Sequence, residues 1–425
     1  MRARLLFVTA LAVFAPAIGA QTVAITGGRI YPVSGPMIDG GTVLIRDGKI
    51  VAVGTNVAVP ADAQRIDATG KVVTPGLVNA ATQLGLVEIG AVSSTTDYGA
   101  SGENGISAAF MPWEGLNPAS IMIAPARSAG VTTVLVAPQG GLISGQAGMV
   151  HLIPGTATEM ILRSPVGMVA TLGPARGPTG GSRAATIMRL RQVLDDARVY
   201  RTRRADFERA QMRPLAASRL DLEAMLPVLD GRLPMMISAD KASDIESAMK
   251  LAKEFGFKLI IVGGAEAWEI ADKLASAHVP VLTGAMNNIP ESFASLGQRQ
   301  ENAGLLDKAG VSVSVIGNAG GGDEDAFNVR NVRFEAGNAV SYGMDWNAAL
   351  RAITLTPAET FGVADRVGSL TAGKLADVVI WSGDPFEFAS QPEHVFIAGR
   401  EIVQPSRQDL LEQRYKTLPP NYRVP

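Results

Sequence analysis

Apolar and polar positions along the chain fall into two textures. From residue 23 to 74 the apolar residues form short β-rich runs: Val23–Ile25, Gly41–Ile45 and Ile50–Gly54. Asp47-Gly48 separates the last two. That pair between strand-like runs is a hairpin signal, because both residues accept the positive φ of a type I′ turn. The same texture returns near the other end in Asp377–Trp381, His394–Ile397 and Glu401–Val403, with Gly399-Arg400 as a turn. Strands at both ends of a central region predict one small β-sandwich built from two separated pieces.

Between them, strand-like and helix-like runs alternate. The predicted strands are Thr74–Asn79, Thr132–Ala137, Val150–Ile153, Gly167–Thr171, Met235–Ser238, Leu259–Val262, Val279–Thr283 and Ser312–Ile316. Helical patterns cover Ser120–Ala129, Ala184–Gln211, Ser218–Leu229, Ala242–Phe255, Glu266–Ala277 and Trp346–Ala352. Several of the strands are continuous apolar runs, as parallel strands covered on both faces are. Eight strands in alternation predict an α/β fold: a (β/α)8 TIM-like barrel plus the small β-sandwich of N- and C-terminal strands. The third strand is the least regular, and a hairpin within an insertion is its alternative. The expected division is 1–20 leader, 21–74 first sandwich piece, 75–366 barrel, 367–404 second sandwich piece and 405–425 tail.

Composition narrows the functional classes. With 47% hydrophobic and 18% charged residues, the chain builds a large core. A net charge of −2 gives no pull toward nucleic acid or an anionic membrane. The absence of cysteine rules out disulfides, thiolate metal sites, a cysteine nucleophile and a lipid anchor on cysteine. Arg2 and Arg4 precede an apolar run, Leu5 to Ile18, followed by small residues. This reads as a signal peptide cleaved after Ala20 or Ala17, and the run falls short of the ~20 residues of a spanning helix. Export across the inner membrane to the periplasm is the expected location. Ala184–Arg213 is arginine-rich with interleaved Asp195, Asp196, Asp206 and Glu208, and reads as a long exposed helix serving as a lid or an interface.

Four passages carry a family resemblance. They are Ile25–Ile30 with Val43–Ile50; Gly70–Val78; Asn331–Gly343 with Ala349-Leu350 and Thr354–Glu359; and Gly368–Trp381. Together, in this order, they resemble the amidohydrolase superfamily in its imidazolonepropionase-like branch. The resemblance implies a barrel with a composite β-sandwich, and hydrolysis of C–N bonds by water activated on one or two divalent metals such as zinc. The superfamily's ligands are a His-x-His ending strand 1, histidines at strands 5 and 6, an aspartate at strand 8 and, in many members, a carboxylated lysine at strand 4. At the matching places this chain has Ala81 and Gln83, then Ser238, then Gly263, with Asn318 nearest the aspartate. Strand 4 ends near Thr171-Leu172 without lysine. The three histidines, His151, His278 and His394, lie outside all these places, and only His151 sits where it could approach the pocket.

Other chemistry is thin. Asp323-Glu324-Asp325 offers oxygen ligands after strand 8, but a solvated acidic loop is the plainer reading, since the ligand spacing of a calcium loop is missing. Gly263-Gly264-Ala265-Glu266 opens a helix, with Glu266 as a capping residue; Asp240 caps the next. Ser144 lacks the Gly-x-Ser-x-Gly elbow of a hydrolase nucleophile. The candidate pocket is therefore metal-free and polar: Gln83, Ser238, Asp240, Glu266 and Asn318. No cofactor is expected. The reading favoured is a catalytically silent superfamily member that binds a small amide or peptide-like ligand, or pairs with an active paralogue or another copy of itself. The alternative is an active amidohydrolase with an unconventional or partner-completed site.

Overall fold

The computed structural model describes residues 22–100, 102–173, 181–286, 290, 292–317, 324–403, 405 and 407–416. The leader, Asn318 and Asp323 lie outside these, as do the side chains of Glu324 and Asp325.

The end segments form one hydrogen-bonded sheet. Its strands are β1 (Val23–Ile30), β2 (Ile38–Arg46), β3 (Lys49–Gly54), β4 (Gln64–Asp67) and β5 (Val72–Pro75), joined by β14 (Val378–Trp381), β15 (Pro392–Ile397) and β16 (Arg400–Glu401). The order is β16-β15-β14-β5-β1-β2-β3, with β4 also paired to β1. β1 branches: Val23–Thr26 pairs with β4, whereas Arg29 and Ile30 pair with β5. That branching lets the sheet curl around a core shared by both pieces, including Ile25, Ile45, Val73, Val378 and Phe396. Asp47 and Gly48 have φ of 54° and 74°, the two positive values a type I′ hairpin needs. The second turn falls at Ala398-Gly399, one residue before the expected Gly399-Arg400. The two hairpin tips touch, for a Cβ on Gly399 would sit 2.7 Å from the Cα of Gly48.

The central sheet holds β6 (Leu77–Thr82), β7 (Val131–Val136), β8 (Ile143–His151), β9 (Ile161–Thr171), β10 (Met235–Ala239), β11 (Leu259–Gly263), β12 (Val281–Thr283) and β13 (Val313–Val315). They pair in chain order and curl into a nearly closed barrel. β6–β7 and β9 through β13 are parallel. β8 is not: it runs antiparallel to β7 and β9, and begins well before the expected Val150. The links 137–142 and 152–160 are too short for the crossover of a dozen or more residues that a parallel strand needs. The barrel interior is filled by Val78, Leu135, Met149, Met236, Ile260 and Ile316.

Helices pack outside. Ala242–Phe255 and Trp346–Ala352 match expectation, and Arg219–Leu229 starts on an N-cap, Ser218, whose side chain accepts from the Asp221 N–H. The arginine-rich helix, Arg183–Glu208, is docked rather than exposed: Leu190, Val193, Leu194, Ala197 and Tyr200 are buried. Its arginines tie it to neighbouring helices through Arg191–Glu254 at 3.0 Å, Arg201–Asp230 at 3.1 Å and Arg204–Glu223 at 2.6 Å. A lid role for it therefore has no support. Among the described residues, no helix is long and apolar enough to cross a membrane.

Candidate functional site

In a barrel of this kind the loops after the strands build the site, since parallel strands all end on one face. A cavity of about 750 Å³ opens there, lined by residues following β6, β7, β9, β10, β11, β12 and β13. Gln83, Ser238 and Asp240 line it, together with Ala81 and Gly263. Glu266 does not.

Each side chain has a definite employment. Ser238 is the register partner of Thr171 on β9 and Val262 on β11, so two hydroxyls stand side by side at the ends of β9 and β10. Asp240 does not cap the helix that follows it. Its Oδ1 accepts from the Ala265 N–H at 3.4 Å, in the loop after β11. Glu266 does the reverse, its Oε2 accepting from the Ala242 N–H at 3.0 Å at the start of the helix after β10. The two carboxylates thus lace neighbouring loops, and Glu266 caps a helix other than its own. Gly263 has φ of +89°, and a Cβ there would lie 2.6 Å from Asp240 Oδ1. No L side chain is accommodated at that place without strain in both the backbone and Asp240.

Gln83 stands apart. It is 1% exposed, and neither its Oε1 nor its Nε2 has a hydrogen-bond partner among the described residues. An unpartnered buried donor or acceptor costs on the order of 1–3 kcal/mol, so two on one residue are a large debit for a chain to carry without return. Gln298, another lining residue, has an unpartnered Nε2 as well.

Sequence reasoning missed several contributors. Gln139, Ser144, Thr171, Thr283, Ser295 and Gln298 add hydroxyls and carboxamides to the wall. Behind it, fully buried Asn302 donates to Gly264 O at 3.0 Å and Thr283 Oγ1 at 3.2 Å, and accepts from Trp268 N at 3.1 Å, joining the ends of β11 and β12. Glu335 Oε2 accepts from the N–H groups of Ala285 and Met286 at 2.9 and 3.0 Å, fixing the loop after β12. Both are polar positions within helical apolar patterns, which was the available signal.

The histidines lie elsewhere. His151 does not approach the cavity. It ends β8 beside the start of β7, at the opposite end of the barrel, and its Nε2 lies 2.9 and 3.0 Å from the two oxygens of buried Asp377. Asp377 also accepts from the Ala398 N–H at 2.9 Å, so the pair clamps the barrel to the end-segment sheet. His278 precedes β12, and His394 bonds Glu401 at 2.6 Å within the sheet.

The model of the amidohydrolase family matches residues 241–402. An amidohydrolase from Thermotoga maritima superimposes with a TM-score of 0.80 at 27% identity, covering 90% of this chain and 100% of that one. The chain belongs to the amidohydrolase superfamily. Among curated relatives, amidohydrolase tasK of Hapsidospora irregularis is 26% identical over 397 residues, 84% of this chain. The chain spans 39% of that relative's length. An adenosine deaminase from Xanthomonas campestris, solved with bound zinc, shares the fold with a TM-score of 0.53 at 17% identity, covering 92% of this chain and 97% of that one.

Superfamily membership raises the question of a metal. The described side chains do not fit one as a donor set. Among the described residues no three His, Cys, Asp or Glu converge where they could hold an ion. The matching places offer an alanine, a carboxamide, a hydroxyl and a glycine, and the one carboxylate lining the cavity among the described residues, Asp240, is turned to a backbone N–H. A catalytic zinc ordinarily needs about three nitrogen, sulfur or carboxylate ligands from the protein.

Proposed function

We propose that this superfamily member is catalytically silent and binds a small amide or peptide-like ligand in the barrel mouth. One observation carries the reading: Gln83 lines the cavity, and its buried carboxamide has both donor and acceptor unpartnered among the described residues. In the superfamily pattern that place belongs to a metal-binding histidine. Here it holds a neutral group suited to hydrogen bonding an amide and poorly suited to neutralising a dication. The chain works, on this reading, after export, its leader Met1–Ala20 removed.

A second reading keeps hydrolysis, at a site completed by another chain, whether an active paralogue or a second copy. It draws on Met286, Phe293 and Leu296, which are 50%, 86% and 59% exposed on the segment that supplies Ser292, Ser295 and Gln298 to the cavity wall. Apolar side chains clustered at a rim suit contact with a partner.

Elemental analysis of the purified chain after extensive dialysis tests the first reading. No stoichiometric zinc, manganese or iron is expected, and no hydrolysis of amide substrates that chelation abolishes. One or two equivalents of metal, lost together with activity on chelation, would overturn it. Mass spectrometry of exported protein should give an N-terminus at Gln21 or Ile18.

A further inference from the structure

We propose that the cavity selects an uncharged peptide-type amide, with one N–H and one C=O presented side by side, and rejects ligands with a free carboxylate or amine. This rests on the ligand-binding reading above and narrows it.

Gln83 sets the geometry. Its free donor and free acceptor are on one planar carboxamide, so a single ligand satisfies both together when its own acceptor and donor lie close to each other on one edge. A residue of an extended peptide does this. Its N–H and C=O point to the same side, which is how paired residues of antiparallel strands exchange two hydrogen bonds. Gln83 would act as a one-residue strand edge.

Charge narrows the choice further. Among the described residues no lysine, arginine or histidine lines the cavity, and Asp240 is the one acidic residue that does. A ligand carboxylate taken from water would find no counter-charge on this described wall, and an unpaired buried charge is strongly disfavoured. A ligand ammonium would have to draw Asp240 away from the Ala265 N–H. The rest of the wall is aliphatic and hydroxylic. Ser144, Thr171 and Ser238 supply hydroxyls, while Met236, Val262 and Ile316 supply aliphatic surface; among the described residues no aromatic ring lines the wall, so a flat π-faced ligand gains no stacking from them. A cavity of about 750 Å³ lies within the range of small-molecule sites.

The test is isothermal titration of the full chain with three probes: N-acetyl-alanyl-alanine N-methylamide, free alanyl-alanine, and N-acetyl-alanine as its carboxylate. The blocked peptide should bind at least about tenfold more tightly than the two charged probes, the cost of leaving one charge or hydrogen-bonding pair unmet. Gln83→Leu, with Gln83→Met as a second variant of similar shape, should lose that binding and at the same time melt about 2 °C higher without ligand, because two unsatisfied groups are removed. A structural role for the amide, including one satisfied by ordered water alone, would instead lower the melting temperature. Equal or tighter binding of a charged probe, absence of binding by the blocked peptide, or a lowered melting temperature in both variants would each overturn the proposal. None of these outcomes bears on the metal content, so silence of the site and choice of ligand fail separately.

Discussion

Replacing Gly263 by alanine probes whether the mouth has been rebuilt around the missing side chain. Two costs are expected. The first is conformational: φ of +89° lies in the left-handed half of the map, which costs a residue with a Cβ about 1–2 kcal/mol. The second is steric and polar. The new Cβ would lie 2.6 Å from Asp240 Oδ1, so the carboxylate must move and give up its 3.4 Å contact with the Ala265 N–H. A hydrogen bond to a charged group contributes about 1.5–3 kcal/mol, and the length of this one puts it at the low end. The sum is about 2–4 kcal/mol. Chemical denaturation followed by circular dichroism measures it, and the molecule has its own control. Gly256, with φ of +76°, has nothing within 4 Å of its Cβ direction, so Gly256→Ala should show the conformational cost alone. In an Asp240→Ala background the excess of Gly263→Ala over Gly256→Ala should vanish, as a double-mutant cycle reads directly. Equal losses at the two glycines, or an excess that survives removal of Asp240, would refute the reasoning. The same numbers explain why histidine placed at Gly263 would not restore the ligand that the superfamily carries there.

Asn302→Ala should cost about 2–4 kcal/mol, because three buried hydrogen bonds go and the Trp268 N–H is left unpaired; faster proteolysis in the segment after β12 would accompany it. His151→Phe should destabilise by about 3 kcal/mol by stranding Asp377, seen as a lower denaturation midpoint, with ligand binding at the far end of the barrel unchanged. Burial, with nearby Asp345 adding to it, pushes the Asp307 carboxyl above the usual range. The folded state thus holds that proton more tightly than the unfolded one. Stability should fall as pH rises from the ordinary carboxylate range through the raised value, and Asp307→Asn should flatten that slope in pH-dependent melting curves.

Much of this was legible in the chain. Local chemistry decided the Asp47-Gly48 hairpin, since few residue pairs tolerate two positive φ values, and apolar runs decided the barrel strands, since a strand covered on both faces must be apolar throughout. The predicted strand ends put Gln83, Ser238 and Asp240 near the mouth because strand ends, unlike loops, hold their register. Tertiary structure decided the rest. The direction of β8 depended on link length and pairing, not on its own residues, which suit either direction. Which loop each carboxylate serves could not be read either: Asp240 and Glu266 look like caps of the helices beside them, yet each bonds the neighbouring loop, because adjacent parallel strands bring those loops closer together than the chain suggests. The docking of the arginine-rich helix turned on Glu223, Asp230 and Glu254, carboxylates on other helices. Most consequentially, the sequence names a glutamine at residue 83; that both ends of its amide are buried and unpartnered among the described residues is a property of the nearly closed barrel around it, where hydrogen-bonding partners are assigned by packing rather than by order along the chain.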